Sequence, residues 1–396
     1  MQYIKDLRLA GERILIRVDY NVPIQDALVV DDFRIRASIP TINYCLDSGA
    51  SVVLMSHLGR PKGEIISALS LDPVVFLLED ILRKEVKFSN NCISDEAIEL
   101  SQQMKPGEIH LLENLRFNKG ETDNDPNFSW NLSRHASIYI NDAFGTAHRS
   151  HASNVGITDH IHNNAAGFLI EKEIKYLSEA MKNPSSPTVL ILGGAKISDK
   201  IALIYNMINK VNMILIGGAM AFTFLKAQGK NVGSSLVDKT NLKIADDILK
   251  LAKRRQVKII LPNDVVASTK MSEEVPWRVS SIEQLRKDEA GFDIGPETAL
   301  NFELIISSAN TIIWNGPLGV SEISPFSTGT QSIASVIRDR TLDGALSIIG
   351  GGDTVSAINN SGNHGGFTHI STGGGASLQL LSGIELPAFK ALKVNV

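Results

Sequence analysis

Short apolar runs rich in β-branched residues recur along this chain, each stopping at Gly, Asn, Asp, His, Arg or another turn former before a stretch of helical periodicity. Such runs read as strands buried on both faces. In the first half they are ILIRV before Asp19, SVVLMS before His57, IHLLEN before Arg116 and SIYIN before Asp142. The second half repeats the scheme with TVLIL before Gly193, MILI before Gly217, KIIL before Pro262, TIIW before Asn315, LSII before Gly350 and HIS before Thr372. Strands alternating with helices predict an α/β protein whose parallel sheets are covered on both faces. So many strands in one open sheet are unusual, and a break follows the helical stretch 171–182, at Asn-Pro-Ser-Ser-Pro over 183–187. The pattern therefore predicts two doubly wound, Rossmann-like domains, residues 1–170 and 188–385, joined by a helix and linker over 171–187.

Composition narrows the class without naming a chemistry. The chain has 396 residues, 43% apolar and 21% charged, with 31 Gly and 14 Pro. At about 150 residues per domain that length supports two or three domains with large cores, and disorder is excluded as the main state. Thirty-nine basic against 43 acidic side chains leave a net charge of −4. Nothing attracts nucleic acid or anionic lipid in general, so any anion site must be local. Cys45 and Cys92 lie far apart with no CxxC partner, so neither a disulfide framework nor a structural zinc site is encoded. The first residues mix charges of both signs, and the longest charge-free apolar stretch, Val211–Leu225, falls short of the ~20 residues that span a bilayer. A soluble, cytoplasmic protein with no nucleic-acid or membrane partner is expected, and no heptad or amphipathic appendage argues against a monomer.

Ligands in open α/β sheets bind outside the carboxyl ends of strands, so each half is expected to hold its own ligand, as in a two-substrate transferase. The first half places Arg17, Asp19 and Asn21 in RVDYNVP, Arg34 and Arg36 in DDFRIR, His57 and Arg60 in SHLGRP, Arg116 in ENLRF, and His148, Arg149 and His151 in AHRSHAS. Arginine forks converging from separate loops suit the oxygens of a small, highly anionic molecule, whereas one arginine alone reads as a solvated surface charge. The three histidines fit ligands, bases or hydrogen-bonded residues of crowded loops, and no HExxH spacing occurs. Asp19 and Asn21 suit a substrate hydroxyl and carboxylate, or form a turn before Pro23.

Glycine dominates the strand ends of the second half. LGGAKISDK supplies Gly193 and Gly194, then Lys196 and Lys200, whose i, i+4 spacing predicts two like charges on one helical face with an anion between them. Gly217 and Gly218, Asn315-Gly316-Pro317, Gly350-Gly351-Gly352-Asp353-Thr354 and Gly373–Gly375 follow later strands. Glycine permits positive φ and close backbone approach, so consecutive amides form an anion nest. Asp353 is suited to hold Mg²⁺ and Thr354 to cap the next helix. Neither GxxxxGK[ST] nor GxGxxG nor GxSxG occurs, so the phosphate site is not a P-loop, a dinucleotide fingerprint or a hydrolase elbow.

Taken together, RVDYNVP, SHLGRPKG, ENLRF, NDAFGTAHRSHAS, GGAKISDKI, GGAMAFTFLK, GPLGVSEISPFSTGT, GGGDT and STGGGASLQLLSG resemble the phosphoglycerate kinases, in collinear order from the first strand almost to the last residue. The resemblance implies an N-terminal domain binding 3-phosphoglycerate or 1,3-bisphosphoglycerate and a C-terminal domain binding ATP or ADP with Mg²⁺. A deep interdomain cleft would close by hinge bending, with a tail from about residue 386 to 396 packing back on the first domain. Carried onto this chain, it implies that Asp19 and Asn21 contact the glycerate. Arg34, His57, Leu58, Gly59, Arg60, Arg116 and Arg149 would bind its carboxyl and phosphate groups. Lys196, Lys200, Gly351 and Gly352, with Arg34, would serve the transferring phosphoryl group. Gly193 and Gly291 would sit beside adenosine, Glu322 would hold the ribose hydroxyls, and Gly350 to Thr354 would cradle phosphate, with Asp353 as metal ligand.

The implied reaction passes the acyl phosphate of 1,3-bisphosphoglycerate to MgADP, reversibly, with no general base because the attacking oxygen is already ionised. Four places depart from the usual pattern: Ala219 for a third glycine, Asn263 in the LPxD turn, Ser321 before Glu322, and Pro387-Ala388-Phe389 for PGV. The first three bear on nucleotide affinity. A nicotinamide-dependent oxidoreductase on two such domains is the competing enzyme reading, weakened by the missing GxGxxG. A ligand-binding relative without turnover is the non-enzymatic one, and it predicts loss of Arg34, Lys200 or Asp353, all of which are present.

Overall fold

A computed structural model describes residues 2–360 and 365–393. The chain divides into two compact units, residues 1–175 with 385–396, and residues 176–384. The boundary falls inside the helix Phe168–Lys182.

In the first unit the strands are β1 (Arg13–Arg17), β2 (Ser51–Met55), β3 (Val86–Ser89), β4 (Ile109–Leu112), β5 (Ile138–Asn141) and β6 (Asn164–Ala166). They form one sheet in the order β3-β4-β2-β1-β5-β6, with every pairing parallel. All residues of β2, β4 and β5 are buried, as unbroken apolar runs covered on both faces require. Ile14, Ile16, Val52, Leu54, Ile109 and Ile140 centre its core. The chain leaves β1 toward β2 on one side and later places β5 on the other, so the order reverses beside β1. That reversal opens the crevice at the carboxyl ends of β1 and β5. A short hairpin, Ile24–Gln25 with Leu28–Val29, follows β1. Residues 385–393 belong to this unit: Phe389 packs against Phe144 with ring centroids 6.1 Å apart, and Ala388 N donates to Ala147 O. Residues 394–396 of the expected tail lie outside the described residues.

The second unit holds β7 (Thr188–Leu192), β8 (Met213–Ile216), β9 (Lys258–Ile260), β10 (Asp264–Ser268), β11 (Trp277–Ser281), β12 (Ala290–Ile294), β13 (Thr311–Asn315), β14 (Leu346–Gly350) and β15 (His369–Ile370). Six of them make a parallel sheet in the order β9-β8-β7-β13-β14-β15. The order reverses between β7 and β13, whose last residues Leu192 and Asn315 pair. The other three form an antiparallel sheet, β11-β10-β12, that the strand–helix alternation does not predict. Its edge strand β11 exposes Trp277 and Val279, so it lacks the buried run that marks the parallel strands. Trp314, Ile191, Leu215, Phe302 and Ile349 lie in the main core. Among the described residues no helix is long and apolar enough to cross a membrane.

Candidate active site

The first unit brings most of its predicted polar residues together at the carboxyl ends of β1, β2, β4 and β5. After β1 the chain turns, with Asn21 N donating to Asp19 Oδ1 at 3.3 Å, as the turn reading of this pair expects. Arg34, in the first turn of the helix Phe33–Asp47, reaches back to Asp19 Oδ2 at 3.4 Å and donates to Asn21 O at 3.0 Å. Asn21 Oδ1 accepts from Gly59 N at 2.9 Å, and Gly59 O accepts from Arg116 Nη1 at 2.6 Å. Gly59 has φ +62° and a Cβ there would stand 2.7 Å from Leu69 Cδ2, so backbone shape and space both call for glycine. Leu58 is buried, and its N–H and carbonyl are both held by the Asn114 side chain, at 3.1 and 2.7 Å. These two bonds fix the loops after β2 and β4 to one another, and Asn114 Oδ1 also accepts from Arg116 N at 3.0 Å within its own loop.

Behind this face lies buried charge. Arg17 Nη2 donates to His57 Nδ1 at 3.1 Å, Arg17 Nε to Ser153 Oγ at 2.9 Å, and Arg17 Nη1 to Val18 O. Burial, then the positive charges of Arg17, Arg116, Arg149 and Arg34, hold the His57 imidazole well below the usual histidine range. His57 is therefore neutral. Its Nδ1 accepts from Arg17, so Nε2 carries the proton and serves as a donor. Its 3.8 Å approach to Asp19 is not an ion pair. Burial, then Arg149 and Arg17, push the Arg116 guanidinium down to about 10. Arg149 is lowered by burial and by Arg60 beside it. Mutual repulsion among these cations is what an anion between them relieves. Arg60 itself is exposed, and no hydrogen bond ties it to the others.

Arg36 leaves the converging set, while His151 and His148 take up contacts with neighbouring side chains, one of the readings their sequence leaves open. Arg36 pairs with Asp32 at 2.7 Å on the surface, because residues two apart in a helix face nearly opposite sides and Arg34 takes the inner one. His151 turns to the buried Glu121, with Nδ1 3.5 Å from Oε1, rather than outward. His148 Nε2 accepts from Arg149 Nε at 3.3 Å. Glu121 and Asn114 were not singled out by sequence. Asn114 sits inside the ENLRF motif, but the buried carboxylate has no local signature.

In the second unit the glycine loops meet at the reversal between β7 and β13. A Cβ on Gly193 would stand 2.0 Å from Pro317 O, and one on Gly316 would stand 2.3 Å from Gly193 O. Gly194 N donates to Pro317 O at 2.9 Å and Gly218 N to Leu318 O at 2.8 Å. Lys196 and Lys200 do not share a helical face: Lys196 is extended and exposed before the 3-10 turn Ile197–Asp199, and Lys200 begins the next helix. Lys200 Nζ donates to Asn315 Oδ1. Burial lowers the Lys200 ammonium, while Asp199 and Asp353 pull the other way. The buried Asn315 Nδ2 has no hydrogen-bond partner and faces the loop, 3.1 and 3.5 Å from where Cβ atoms of Gly350 and Gly351 would be. An unpaired buried donor beside glycine amides is a place for a phosphate oxygen. In the sequence Asn315 marks the end of TIIW and opens the Asn315-Gly316-Pro317 turn, and nothing local distinguishes its side chain.

Gly351 takes φ +97° and Gly352 starts the helix Gly352–Asn360, whose first turn carries the exposed Asp353. Thr354 does not cap that helix. It lies inside the first turn, buried, and its Oγ1 accepts from Gly316 N at 2.7 Å, joining the two phosphate-type loops. Gly291 lies within β12, where its N–H donates to Ser235 Oγ and a Cβ would meet Phe222 Cζ at 2.3 Å. Glu322 is exposed on the loop after β13. Ala219 has φ −65°, ψ −26°, an ordinary helical conformation, so alanine in place of glycine brings no backbone strain.

One α/β unit with converging arginines and a second with amide-rich glycine loops, a lysine and a carboxylate define a two-substrate phosphotransferase. A sequence model of the phosphoglycerate kinase family matches residues 4–384, and the chain belongs to that family. It is 48% identical over 389 residues to a phosphoglycerate kinase of Chloroherpeton thalassium, covering 98% of each chain. It is 50% identical over 390 residues to one of Thermosipho africanus, covering 98% of this chain and 97% of the other. Its structure is similar to phosphoglycerate kinase from Coxiella burnetii, with TM-score 0.86 and 37% identity over 99% of this chain and 98% of that one. It is also similar to the enzyme from Pyrococcus horikoshii OT3, with TM-score 0.87 and 31% identity over 100% and 99%. The chain is accordingly an enzyme with phosphoglycerate kinase activity, a transferase of glycolysis.

Proposed function

We propose that the arginine face of the first unit binds 3-phosphoglycerate or 1,3-bisphosphoglycerate and that the glycine loops of the second bind ATP or ADP. The observation that carries this reading is the cluster of Arg17, Arg34, Arg116 and Arg149, mutually strained by charge around a neutral His57. Arg116, Arg149 and Arg60 take phosphate and carboxylate oxygens, His57 Nε2–H adds a neutral donor, and Asp19 and Asn21 order the glycerate. The substrate carboxylate is ionised, so attack on the γ-phosphorus needs no base. What remains is to align the partners and to balance charge on the three equatorial oxygens. Arg34, Lys196, Lys200 and the amides of Gly351 and Gly352 supply that balance, while Gly193, Gly291 and Glu322 hold the nucleoside.

No cluster of three or more metal-ligating side chains occurs among the described residues. Mg²⁺ commonly keeps its waters and takes one or two carboxylates plus substrate phosphates, so the single exposed Asp353, near enough to Lys200 to favour its charged form, fits an ion carried by the nucleotide. When bound, Mg²⁺ neutralises phosphate charge. Closure about the helix at 171–182 brings the two substrates together and shields the phosphoryl group from water. The protein acts as a cytoplasmic monomer.

The test is MgATP-dependent phosphorylation of 3-phosphoglycerate, followed by a coupling enzyme, for wild type, Arg34→Ala and Asp353→Ala. Collapse of turnover in both variants supports the assigned roles. Wild-type turnover retained by either variant removes that residue from the machinery.

A further inference from the structure

The buried carboxylate of Glu121 is not part of the binding face, yet it grips two of the parts that make it. Glu121 Oε1 accepts from Ser153 Oγ at 2.7 Å, Oε2 from Ser153 N at 3.0 Å, and its backbone carbonyl from Ala152 N at 2.9 Å. These bonds hold the stretch that carries Arg149, four residues before Ser153. The same serine hydroxyl, having given its proton to Glu121, accepts from Arg17 Nε, and Arg17 Nη2 in turn donates to His57 Nδ1. Each link in this row has its donor and acceptor fixed by chemistry, and Glu121, Ser153 and Arg17 are all fully withdrawn from solvent. Glu121 Oε1 also stands 4.0 Å from Arg17 Nη2, and its charge supports the charged form of Arg116.

We propose that Glu121 is a positioning residue for the glycerate side of the reaction: acting through Ser153, it fixes Arg17, and with it the orientation of His57, and anchors the loop that presents Arg149. A carboxylate placed behind the cations, rather than among them, neutralises part of their repulsion without competing for the substrate anion. This inference rests on the reading that the arginine face binds 3-phosphoglycerate.

The experiment measures KM for 3-phosphoglycerate and for MgATP in Glu121→Gln, Ser153→Ala, their double variant and Arg60→Ala. Positioning predicts that each of the first two raises KM for 3-phosphoglycerate about tenfold, the worth of one charged hydrogen bond, with KM for MgATP unmoved. The double variant then falls no further than the worse single, because both cut one chain. Should Glu121→Gln fail to fold, Ser153→Ala decides, since it keeps the charge and deletes only the link. Unchanged or lowered KM for 3-phosphoglycerate in Ser153→Ala, or an equal rise in both KM values, overturns the positioning role. If Arg60→Ala still raises KM for 3-phosphoglycerate, the binding-face reading survives that result; if it does not, both fall.

Discussion

Arg17 Nη2 donates to His57 Nδ1 across 3.1 Å, and both side chains are buried. This one bond selects the tautomer of the histidine and so decides what His57 offers a substrate: an Nε2–H donor with no charge. The expected outcome in ¹⁵N imidazole spectra is a neutral, Nε2-protonated His57 that does not titrate between pH 8 and pH 6. A doubly protonated ring near pH 6.5 would show that the surrounding arginines do not suppress its charge. KM for 3-phosphoglycerate should carry no inflection from this group in the same range.

Gly193→Ala is the sharpest test of the second unit. The added Cβ would lie 2.0 Å from Pro317 O and 2.6 Å from Gly316 O, backbone atoms that cannot rotate away. The loops after β7 and β13 must separate, costing about 3 kcal/mol or more. Urea unfolding should show that loss, and calorimetry should show MgADP binding weakened with it. A variant with wild-type stability and affinity would mean that the loops part freely.

Strand positions were legible because both faces of each parallel sheet are covered, so β1, β2, β7 and β13 appear as unbroken apolar runs. Edge strands β3 and β6, VKFS and Asn-Ala-Ala, lack that run: β3 is only partly buried beyond Val86, and β6 is three residues long with a polar first residue and two small alanines. The arginines were legible by their place after strands, which is a property of the topology rather than of any local motif. Glu121 and Ser153 were not. They lie 32 residues apart and their partnership is created only by packing. The spacing of Lys196 and Lys200 misled for a different reason: i, i+4 places residues on one face only if the turn between them is α-helical, and Ile197–Asp199 is a 3-10 turn entered from extended backbone.

Asn315→Ala separates a ligand contact from a structural one. The buried amide nitrogen has no partner of its own, so deleting it costs the fold little beyond the bond from Lys200 to Oδ1. Where that nitrogen meets a phosphate oxygen, KM for MgATP rises about tenfold while the unfolding midpoint shifts only slightly. A large loss of stability with KM unchanged would assign Asn315 to the scaffold instead.

Two further histidines predict how the first unit responds to acid. His135 Nε2 must donate to Cys92 O at 2.9 Å, since a carbonyl only accepts, so in the neutral ring Nδ1 is an acceptor and takes the Ser101 hydroxyl proton at 2.7 Å in preference to Ala97 O at 3.1 Å. Ser101 Oγ then accepts from His110 Nδ1 at 2.9 Å, leaving His110 Nε2 to accept from Ser89 Oγ at 2.8 Å. Every proton of this buried row is assigned with both rings neutral. Burial is the main cause that pushes His110 down to about 3 and His135 down to about 4. Because the unfolded chain binds these protons near pH 6.5 and the native protein does not, their contribution is complete above pH 6.5. It is lost as pH falls toward 4, at up to about 2.7 kcal/mol per pH unit for the two together. Asp142 and Asp293, pushed up to about 7 chiefly by burial, act in the opposite sense, their contribution declining as pH rises from 3.8 toward 7. The raw pH profile therefore mixes both, and the difference between wild type and His110→Asn isolates the histidine. Urea unfolding at pH 7 and pH 4.5 should show the variant losing less stability on acidification than wild type does. Equal losses would mean that His110 is already protonated, or free to become so, in the native row.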